Sequence, residues 1–251
     1  MADTIVNTRV GAMTYLAPSG QLSGDGPVAE LQAAVVSCIA AHQVQLVLDL
    51  ATVQLVSGKA LEVMLDSQAR LGALGGGLKL LNPNSLVRDI FRATGFSGHV
   101  EGERAAPAQR PGAGRKLGDI LLESGAITAE RLQEAAALQK QLGQRLGRIL
   151  VDKGFVSEAD LLKALSHQLD VSYVTLRPGL YDPAALALLD KSVARRLEVL
   201  PMFRVRDTLT IAMADPQSLP KIDRLRQLTG LKIRPVLALG SNIREFISKY
   251  K

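Results

Sequence analysis

The chain has 251 residues, of which 47% are hydrophobic and 22% are charged, and it contains a single cysteine. This composition excludes a chain that is disordered throughout, and the length is enough for one large or two modest domains. No apolar stretch reaches the roughly 18 residues that a membrane-spanning helix needs. The first residues lack the pattern of a secretion signal, and the lone Cys38 cannot form an intramolecular disulfide, so we expect a cytoplasmic protein.

The net charge of +6 is distributed unevenly along the chain. Residues 1–100 carry a balance of −1 and residues 101–251 a balance of +7. We therefore expect an anionic ligand to bind the second part of the chain.

The first hundred residues alternate between apolar runs with strand character and helical patterns. Strands are predicted around residues 13–16, 45–50 and 78–81, and helices around 28–41, 59–71 and 85–92. This alternation predicts an α/β layer fold. The next segment, residues 101–115, is rich in Ala, Pro, Gly and charged residues and lacks hydrophobic periodicity, which predicts an interdomain linker.

A 24-residue unit occurs twice after this linker, at residues 116–139 and 145–168. The copies align without gaps and share eight identities, whereas random pairing would give about two. A Gly at the tenth place of each copy would end a short helix in the left-handed region, and Thr128 and Ser157 stand where the N-cap of a second helix belongs. Each copy is therefore predicted to form a helical hairpin, and we expect the two hairpins to pack side by side.

The pattern changes again after residue 168. Strands are predicted at 199–205, 208–213 and 232–237, and helices at 219–229 and from residue 241. The whole chain is thus predicted to be α/β. We expect an α/β layer domain at residues 1–100, a linker at 101–115, a tandem helical-hairpin subdomain at 116–170 and a small α/β subdomain at 171–251.

The first hundred residues resemble a STAS domain, the fold of bacterial anti-sigma-factor antagonists. The resemblance rests on VLDLATVQLVSGKALEVML (47–65), on GGLKLLNPNSLVRDIFRATGF (76–96) and on their spacing. In signalling members, the loop after the LDL strand carries a phosphorylated Ser, and Gly58 stands at that place here. The resemblance therefore implies that the usual phosphorylation chemistry is absent. Ser57 is a possible phosphosite one residue earlier, although an N-cap is the simpler interpretation.

The repeat and the residues after it resemble the MshEN domain, the N-terminal domain of type II secretion and pilus ATPases, some of which bind cyclic di-GMP. That family carries a 24-residue unit beginning RLG, with Gly tenth and Gln last, twice with five residues between the copies. The second copy here follows the pattern nearly throughout, whereas the first departs from it at Lys116, Ala126 and Ala136. IAMADP (211–216) and LTGLKIRPVLA (228–238) match the family's second subdomain.

The resemblance implies a cyclic di-GMP site formed by both repeats. The implied residues are Lys116, Leu117, Gly118, Leu121, Gln139, Arg145, Leu146, Gly147, Arg148, Leu150, Gln168 and Asp215. The ligand is a nearly two-fold dianion with two guanines and two phosphates, so a duplicated platform can hold each half with one repeat. Arg145 offers a planar fork for a phosphate or a guanine edge, and each Gln can donate and accept. A Gly at a helix start lets an anion approach free N–H groups.

No other pattern in the sequence supports catalysis or metal binding. A GxxxxGK[ST] phosphate loop is absent, so we expect the ATPase that follows an MshEN domain in secretion motors to be missing. The three His residues have no Cys or acidic partner at metal spacing, and aromatic residues amount to only 4%, which disfavours a nucleic-acid polymer as partner. We therefore expect no enzyme, no cofactor, no metal site and no membrane insertion.

These patterns predict a non-catalytic cytoplasmic signalling adaptor. It would bind cyclic di-GMP through the KLG and RLG repeats and engage a protein partner through the STAS-like domain. The alternative is a ligand-independent docking protein for a secretion, pilus or motility apparatus, because a duplicated helical hairpin can serve as scaffold alone.

Overall fold

The computed structural model describes residues 5–96 and 115–249, so the predicted linker lies outside the described residues except for Arg115. The strands are β1 (Val6–Val10), β2 (Met13–Ala17), β3 (Gly20–Leu22), β4 (Gln45–Asp49), β5 (Val53–Val56), β6 (Gly77–Leu81), β7 (Val199–Val205), β8 (Thr208–Met213) and β9 (Lys232–Leu237). The helices are α1 (Asp25–Ala40), α2 (Gly58–Ala73), α3 (Ser85–Thr94), α4 (Leu117–Glu123), α5 (Ala129–Leu142), α6 (Leu146–Asp152), α7 (Glu158–Leu169), α8 (Pro183–Leu186), α9 (Lys191–Leu197), α10 (Leu219–Thr229) and α11 (Gly240–Lys249). The predicted α/β class is confirmed.

The N-terminal part contains a four-stranded sheet in the order β1-β2-β4-β6 and a separate parallel pair, β3 with β5. β2, β4 and β6 run parallel to one another, and β1 runs antiparallel to β2 at the edge. The three strands and three helices predicted from the sequence are present. β1 was not predicted because all five of its side chains are exposed, which removes the hydrophobic alternation that marks a strand.

Local side-chain caps determine where two helices of this part begin. The Ser57 hydroxyl accepts a hydrogen bond from the Ala60 N–H at 3.3 Å, and the Asn84 side-chain oxygen accepts one from the Val87 N–H at 2.8 Å. Both residues are N-caps with extended backbone, which satisfies one free N–H of the first helical turn. The N-cap interpretation of Ser57 is therefore confirmed.

The tandem repeat forms four helices that are paired across the two copies. Gly125 and Gly154 have φ values of +69° and +68°, and Thr128 and Ser157 cap the second helix of each copy, as predicted. Helix α4 of the first copy packs against α7 of the second, and α5 packs against α6. The hairpins are thus interleaved rather than merely side by side, because each of the seven-residue helices α4 and α6 lies against the longer helix of the other copy.

The C-terminal part contains the sheet β7-β8-β9, in which β7 is antiparallel to β8 and β8 is parallel to β9. Helix α10 connects the two parallel strands, and α11 follows β9. All the predicted elements are present here. The short helices α8 and α9 were not predicted, since four and seven residues are too few to show a helical period.

The buried apolar residues form two clusters that do not follow the order of the chain. One cluster runs continuously from the N-terminal sheet into the C-terminal part and includes Leu16 and Ile247. The other belongs to the tandem repeat. The repeat therefore has its own core, while the N-terminal and C-terminal parts share one. Among the residues described, no helix combines the length and apolar character needed to cross a membrane.

Candidate functional site

Lys116 and Arg145 stand at equivalent places, immediately before α4 and α6. Both have extended backbone, and their carbonyl oxygens accept the first helical hydrogen bonds, from Asp119 N–H at 3.1 Å and from Arg148 N–H at 3.0 Å. Both side chains are exposed, and neither has an ion-pair partner within residues 5–96 and 115–249. Two unpaired cations thus stand at matching positions of the repeat.

The starts of α4 and α6 lie next to each other. A Cβ placed on Gly147, the second residue of α6, would be 3.8 Å from a methyl carbon of Leu117, the first residue of α4. The Leu-Gly pairs that begin α4 and α6 are therefore neighbours in space. Their separation along the chain does not predict this contact.

Gln168 and Gln139 lie differently with respect to the two basic residues. The Gln168 side chain donates a hydrogen bond to the Arg115 carbonyl oxygen at 2.9 Å, so the end of the second copy lies beside the start of the first. Gln139, at the end of the first copy, is exposed in the last turn of α5 and is near Arg145 along the chain. We refer to Lys116 with Gln168, and to Arg145 with Gln139, as the two candidate half-sites.

Gly118 and Gly147, which occupy the same place in the two copies, face the longer helix of their own hairpin. A Cβ on Gly118 would be 2.9 Å from a methyl carbon of Leu132, and one on Gly147 would be 3.2 Å from a methyl carbon of Leu161. Close helix packing is therefore a sufficient reason for glycine at these positions. The approach of a phosphate to the backbone is not required to explain these two glycines.

The predicted leucines divide into two groups by burial. Leu121 and Leu150 are 0% exposed and belong to the core of the repeat, so they support the site from inside rather than forming its surface. Leu117 and Leu146 are partly exposed at the helix starts, where an apolar face of a base can pack on them. Arg148 points outward and forms an ion pair with Asp152 at 3.4 Å, four residues later on the same helix.

Asp215 follows β8 at the edge of the C-terminal sheet that faces the repeat. Because β8 and β9 are parallel, their carboxyl ends meet at the same edge. Leu239, which follows β9, packs against the repeat core, and the Asn242 side chain donates to Glu158 of α7 at 3.4 Å. Asp215 is half-buried in the first of these loops, on the side of the repeat.

Two arginines near the site were not singled out from the sequence. Arg115 contributes its carbonyl to Gln168 and forms an ion pair with Glu123 of α4. Arg131 lies over the ring of Phe155, 5.9 Å from the ring centroid, and so joins α5 to the second copy. Arg115 lies within the predicted linker, and Arg131 has an Asp at the matching place of the second copy, so neither stood out in the repeat alignment.

Glu130, in the first turn of α5, has a lowered pKa. Glu130 accepts hydrogen bonds from its own backbone N–H and from the Thr128 hydroxyl, and these lower its pKa below the ordinary value. Glu130 therefore stays ionised at neutral pH and contributes a negative charge favourable to the helix start. Among the described residues, no group of three or more His, Cys, Asp or Glu side chains is arranged to hold a metal ion.

Comparisons with known families match two separate segments of the chain. Residues 8–106 match the family model of the STAS domain, and residues 169–251 match that of the MshEN domain. The two resemblances seen in the sequence are thereby confirmed. The matched MshEN segment begins immediately after the second copy of the repeat.

Individual relatives extend the similarity beyond residues 169–251. The type IV pilus assembly ATPase PilB of Myxococcus xanthus (strain DK1622) is 34% identical over 135 residues, a stretch longer than that segment. The aligned stretch is 54% of this chain but 24% of PilB, so the chain spans about a quarter of the length of this relative.

Some solved structures are similar to one or the other part of the chain. A structure of MshE with cdg is 35% identical and covers 55% of this chain and 99% of its own, with a TM-score of 0.47. The N-terminal domain of XpsE is 24% identical over 53% of this chain and 92% of its own, with a TM-score of 0.41. The unphosphorylated anti-sigma factor antagonist SpoIIAA is 18% identical over 36% of this chain and 82% of its own, with a TM-score of 0.32.

Proposed function

We propose that this chain, which combines a STAS domain with an MshEN domain, is a non-catalytic signalling adaptor that binds cyclic di-GMP through its tandem repeats. The observation that carries the proposal is the interleaved repeat, in which two equivalent helix starts, each preceded by an exposed cation, lie side by side. A nearly two-fold ligand with two phosphates and two guanines matches such a surface half by half.

The side chains of the two half-sites suit this ligand chemically. Arg145 can make two parallel hydrogen bonds to a phosphate or to the O6 and N7 atoms of guanine, and Lys116 can make a point contact with a phosphate. Gln139 and Gln168 carry both donors and acceptors, which suits a base edge or a ribose hydroxyl. Asp215 is an acceptor at the neighbouring edge and can receive a guanine N–H.

The electrostatic part of the proposal depends on the placement of two cations rather than on net charge. Residues 116–170 contain seven Lys or Arg and eight Asp or Glu, whereas residues 171–251 contain 14 Lys or Arg and seven Asp or Glu. A dianion is therefore attracted to the repeat through the local positions of Lys116 and Arg145, not through an excess charge of the repeat.

Isothermal titration calorimetry of the full chain with cyclic di-GMP, cyclic di-AMP and GTP tests the proposal. We expect saturable binding of cyclic di-GMP only, because the other two nucleotides lack either the guanines or the two-fold backbone. Absence of binding, or equal binding of all three nucleotides, would contradict the proposal. Gly72→Ser provides a matched control, since Gly72 lies on α2 with nothing within 4 Å of an added Cβ.

We further propose that the adaptor acts in the cytoplasm on a protein partner that contacts the STAS domain. A secretion, pilus or motility component is the class of partner favoured by the similarity to a pilus assembly ATPase. The second candidate function, a docking protein that works without ligand, is favoured by the same similarity. Affinity purification of the partner with and without cyclic di-GMP distinguishes the two, because only the first predicts a difference.

A further inference from the structure

The start of α2 is in direct contact with the C-terminal part of the chain. A Cβ placed on Gly58, the first residue of α2, would lie 2.0 Å from the backbone carbonyl oxygen of Arg204 in β7. That separation is far below any contact a real Cβ makes, and the obstacle is backbone rather than a flexible side chain. Glycine is therefore the one residue that allows β7 to pack here.

A carboxylate from the C-terminal part accepts a hydrogen bond from the free N–H at the start of α2. The Gly58 N–H donates to Asp182 Oδ2 at 2.9 Å, while Asp182 Oδ1 accepts from the Ala184 N–H at 3.0 Å. Asp182 thus caps its own helix α8 and meets the positive end of α2 with the same carboxylate. Gly58 and Asp182 are 124 residues apart in sequence, so this is a tertiary contact.

Two arginines extend the contact along the N-terminal part. Arg206, in the turn between β7 and β8, donates its backbone N–H to Glu62 and its guanidinium to Asp66 at 2.5 Å, both on α2. Arg177 donates to Asp89 of α3 at 2.5 Å. Beneath these polar contacts the two parts share one continuous apolar core.

We propose that the surface around Gly58 is an internal joint, whose partner is the segment of this chain formed by β7 and the Asp182 turn. The joint fixes the STAS domain to the nucleotide-binding part, so that a protein binding the STAS domain from outside uses another face. This goes beyond the proposed function, because the candidate nucleotide residues lie near the opposite end of β8 from the Arg206 turn.

The joint also accounts for the state of Ser57. Its side chain is directed to the Ala60 N–H, and the residue is 8% exposed. A kinase has no access to this hydroxyl while the joint is closed. The surface around Gly58, which carries the phosphorylated Ser in signalling STAS domains, is thus a permanent contact with the C-terminal part in this chain.

Amide hydrogen exchange of the full chain, measured by NMR, tests the joint directly. The Gly58 and Arg206 amides each donate to an acceptor in the other part of the chain, so their protection reports the contact. We expect both amides to exchange more slowly than unprotected peptide by at least about tenfold. Exchange of both at the unprotected rate would overturn the proposal.

Gly58→Ser is expected to separate β7 from α2, because its Cβ would collide with the Arg204 carbonyl oxygen. Gly72→Ser, near the other end of α2, is the matched control, because nothing lies within 4 Å of its added Cβ. We expect Gly58→Ser to raise exchange at both reporting amides by about tenfold or more, and Gly72→Ser to leave both rates unchanged. Unchanged rates in Gly58→Ser would show that β7 is not packed against α2 in solution. If Gly58→Ser does not fold, Asp182→Ser provides the same readout at the Gly58 amide, since Ser retains the ability to cap α8.

A chemical cross-link provides an independent measurement on a near-native protein. Arg206→Lys places an amine beside Glu62 and Asp66, and a carbodiimide then joins it to one of these carboxylates without a spacer. We expect mass spectrometry to find peptides from α2 linked to the β7–β8 turn at protein concentrations where intermolecular linking is absent. Failure to form that link in a folded variant would contradict the joint.

Discussion

At the scale of single residues, the two repeats differ in the basic residue with which each begins. Lys116 and Arg145 have the same backbone conformation and the same exposure, but an ammonium is a point charge and a guanidinium is a planar fork. The half-site with Arg145 can therefore make paired hydrogen bonds that the half-site with Lys116 cannot.

We predict that Arg145→Ala weakens cyclic di-GMP binding more than Lys116→Ala does, and that Lys116→Arg leaves binding equal or tighter. Removing a charge-assisted hydrogen bond costs about 1.5 to 3 kcal/mol, which corresponds to roughly 10- to 150-fold in the dissociation constant. Calorimetric dissociation constants of the three variants measure the effect. Parent-like affinity of a folded Arg145→Ala variant would show that the ligand binds elsewhere.

Cys38 yields a second prediction at this scale. It is 2% exposed on α1, and burial raises the pKa of its thiol above the ordinary value. The reactive thiolate is therefore scarce below this raised pKa, and reagents reach it only on unfolding. We expect Ellman's reagent to modify native protein at neutral pH at least about a hundredfold more slowly than urea-unfolded protein. Equal rates would mean that the α1 face is open in solution.

At the scale of elements, the second hairpin is better capped than the first. The Ser157 hydroxyl accepts from the Asp160 N–H at 3.1 Å and donates to the Asp160 carboxylate at 2.6 Å. The equivalent contact, from the Arg131 N–H to the Thr128 hydroxyl, is 3.5 Å long. Helix α7 therefore gains more from its cap than α5 does.

We predict that Ser157→Ala lowers the free energy of unfolding of the repeat by about 1 kcal/mol, and that Thr128→Ala lowers it by less. The reason is the shorter contact from the backbone N–H at Ser157, 3.1 Å against 3.5 Å at Thr128, since both hydroxyls also hydrogen-bond a carboxylate, Asp160 or Glu130. Urea unfolding followed by far-ultraviolet circular dichroism measures both variants. An equal or larger effect of Thr128→Ala would show that the two hairpins are capped alike in solution.

At the scale of the whole molecule, the separation of the buried residues into two clusters has a thermodynamic consequence. The repeat has a core of its own, and the first and last parts of the chain share the other. Among the described residues, contacts between the two units include Leu239 and the pair formed by Asn242 and Glu158. Unfolding is therefore expected to proceed in two steps rather than one.

We predict that cyclic di-GMP stabilises the step in which the repeat unfolds and has little effect on the other step. A ligand at a hundred times its dissociation constant stabilises the state that binds it by about 2.7 kcal/mol. Differential scanning calorimetry with and without ligand resolves the steps, and Cys38 accessibility identifies the one that opens the N-terminal part. A ligand-induced shift of that step instead would place the nucleotide outside the repeat.

Features that depend on neighbours along the chain could be predicted from the amino-acid sequence. The duplicated unit, the left-handed Gly125 and Gly154, and the caps at Thr128 and Ser157 all follow from local backbone chemistry. The alternation of strands and helices predicted the α/β class in the same way. The residues proposed to bind the ligand, such as Arg145 and Gln168, came from the resemblance to the MshEN domain that the repeat carries.

Which of these elements contact one another became visible only in the folded chain. The pairing of Gln168 with the start of the first copy, and the shared core of the N-terminal and C-terminal parts, depend on contacts between residues far apart in sequence. Gly58 shows the difference most clearly. In the sequence it is a missing hydroxyl, whereas in the structure it is the space that the Arg204 carbonyl requires. Hydrophobic periodicity marks which face of an element is buried, but it does not state against what, because apolar contacts are not specific for their partner.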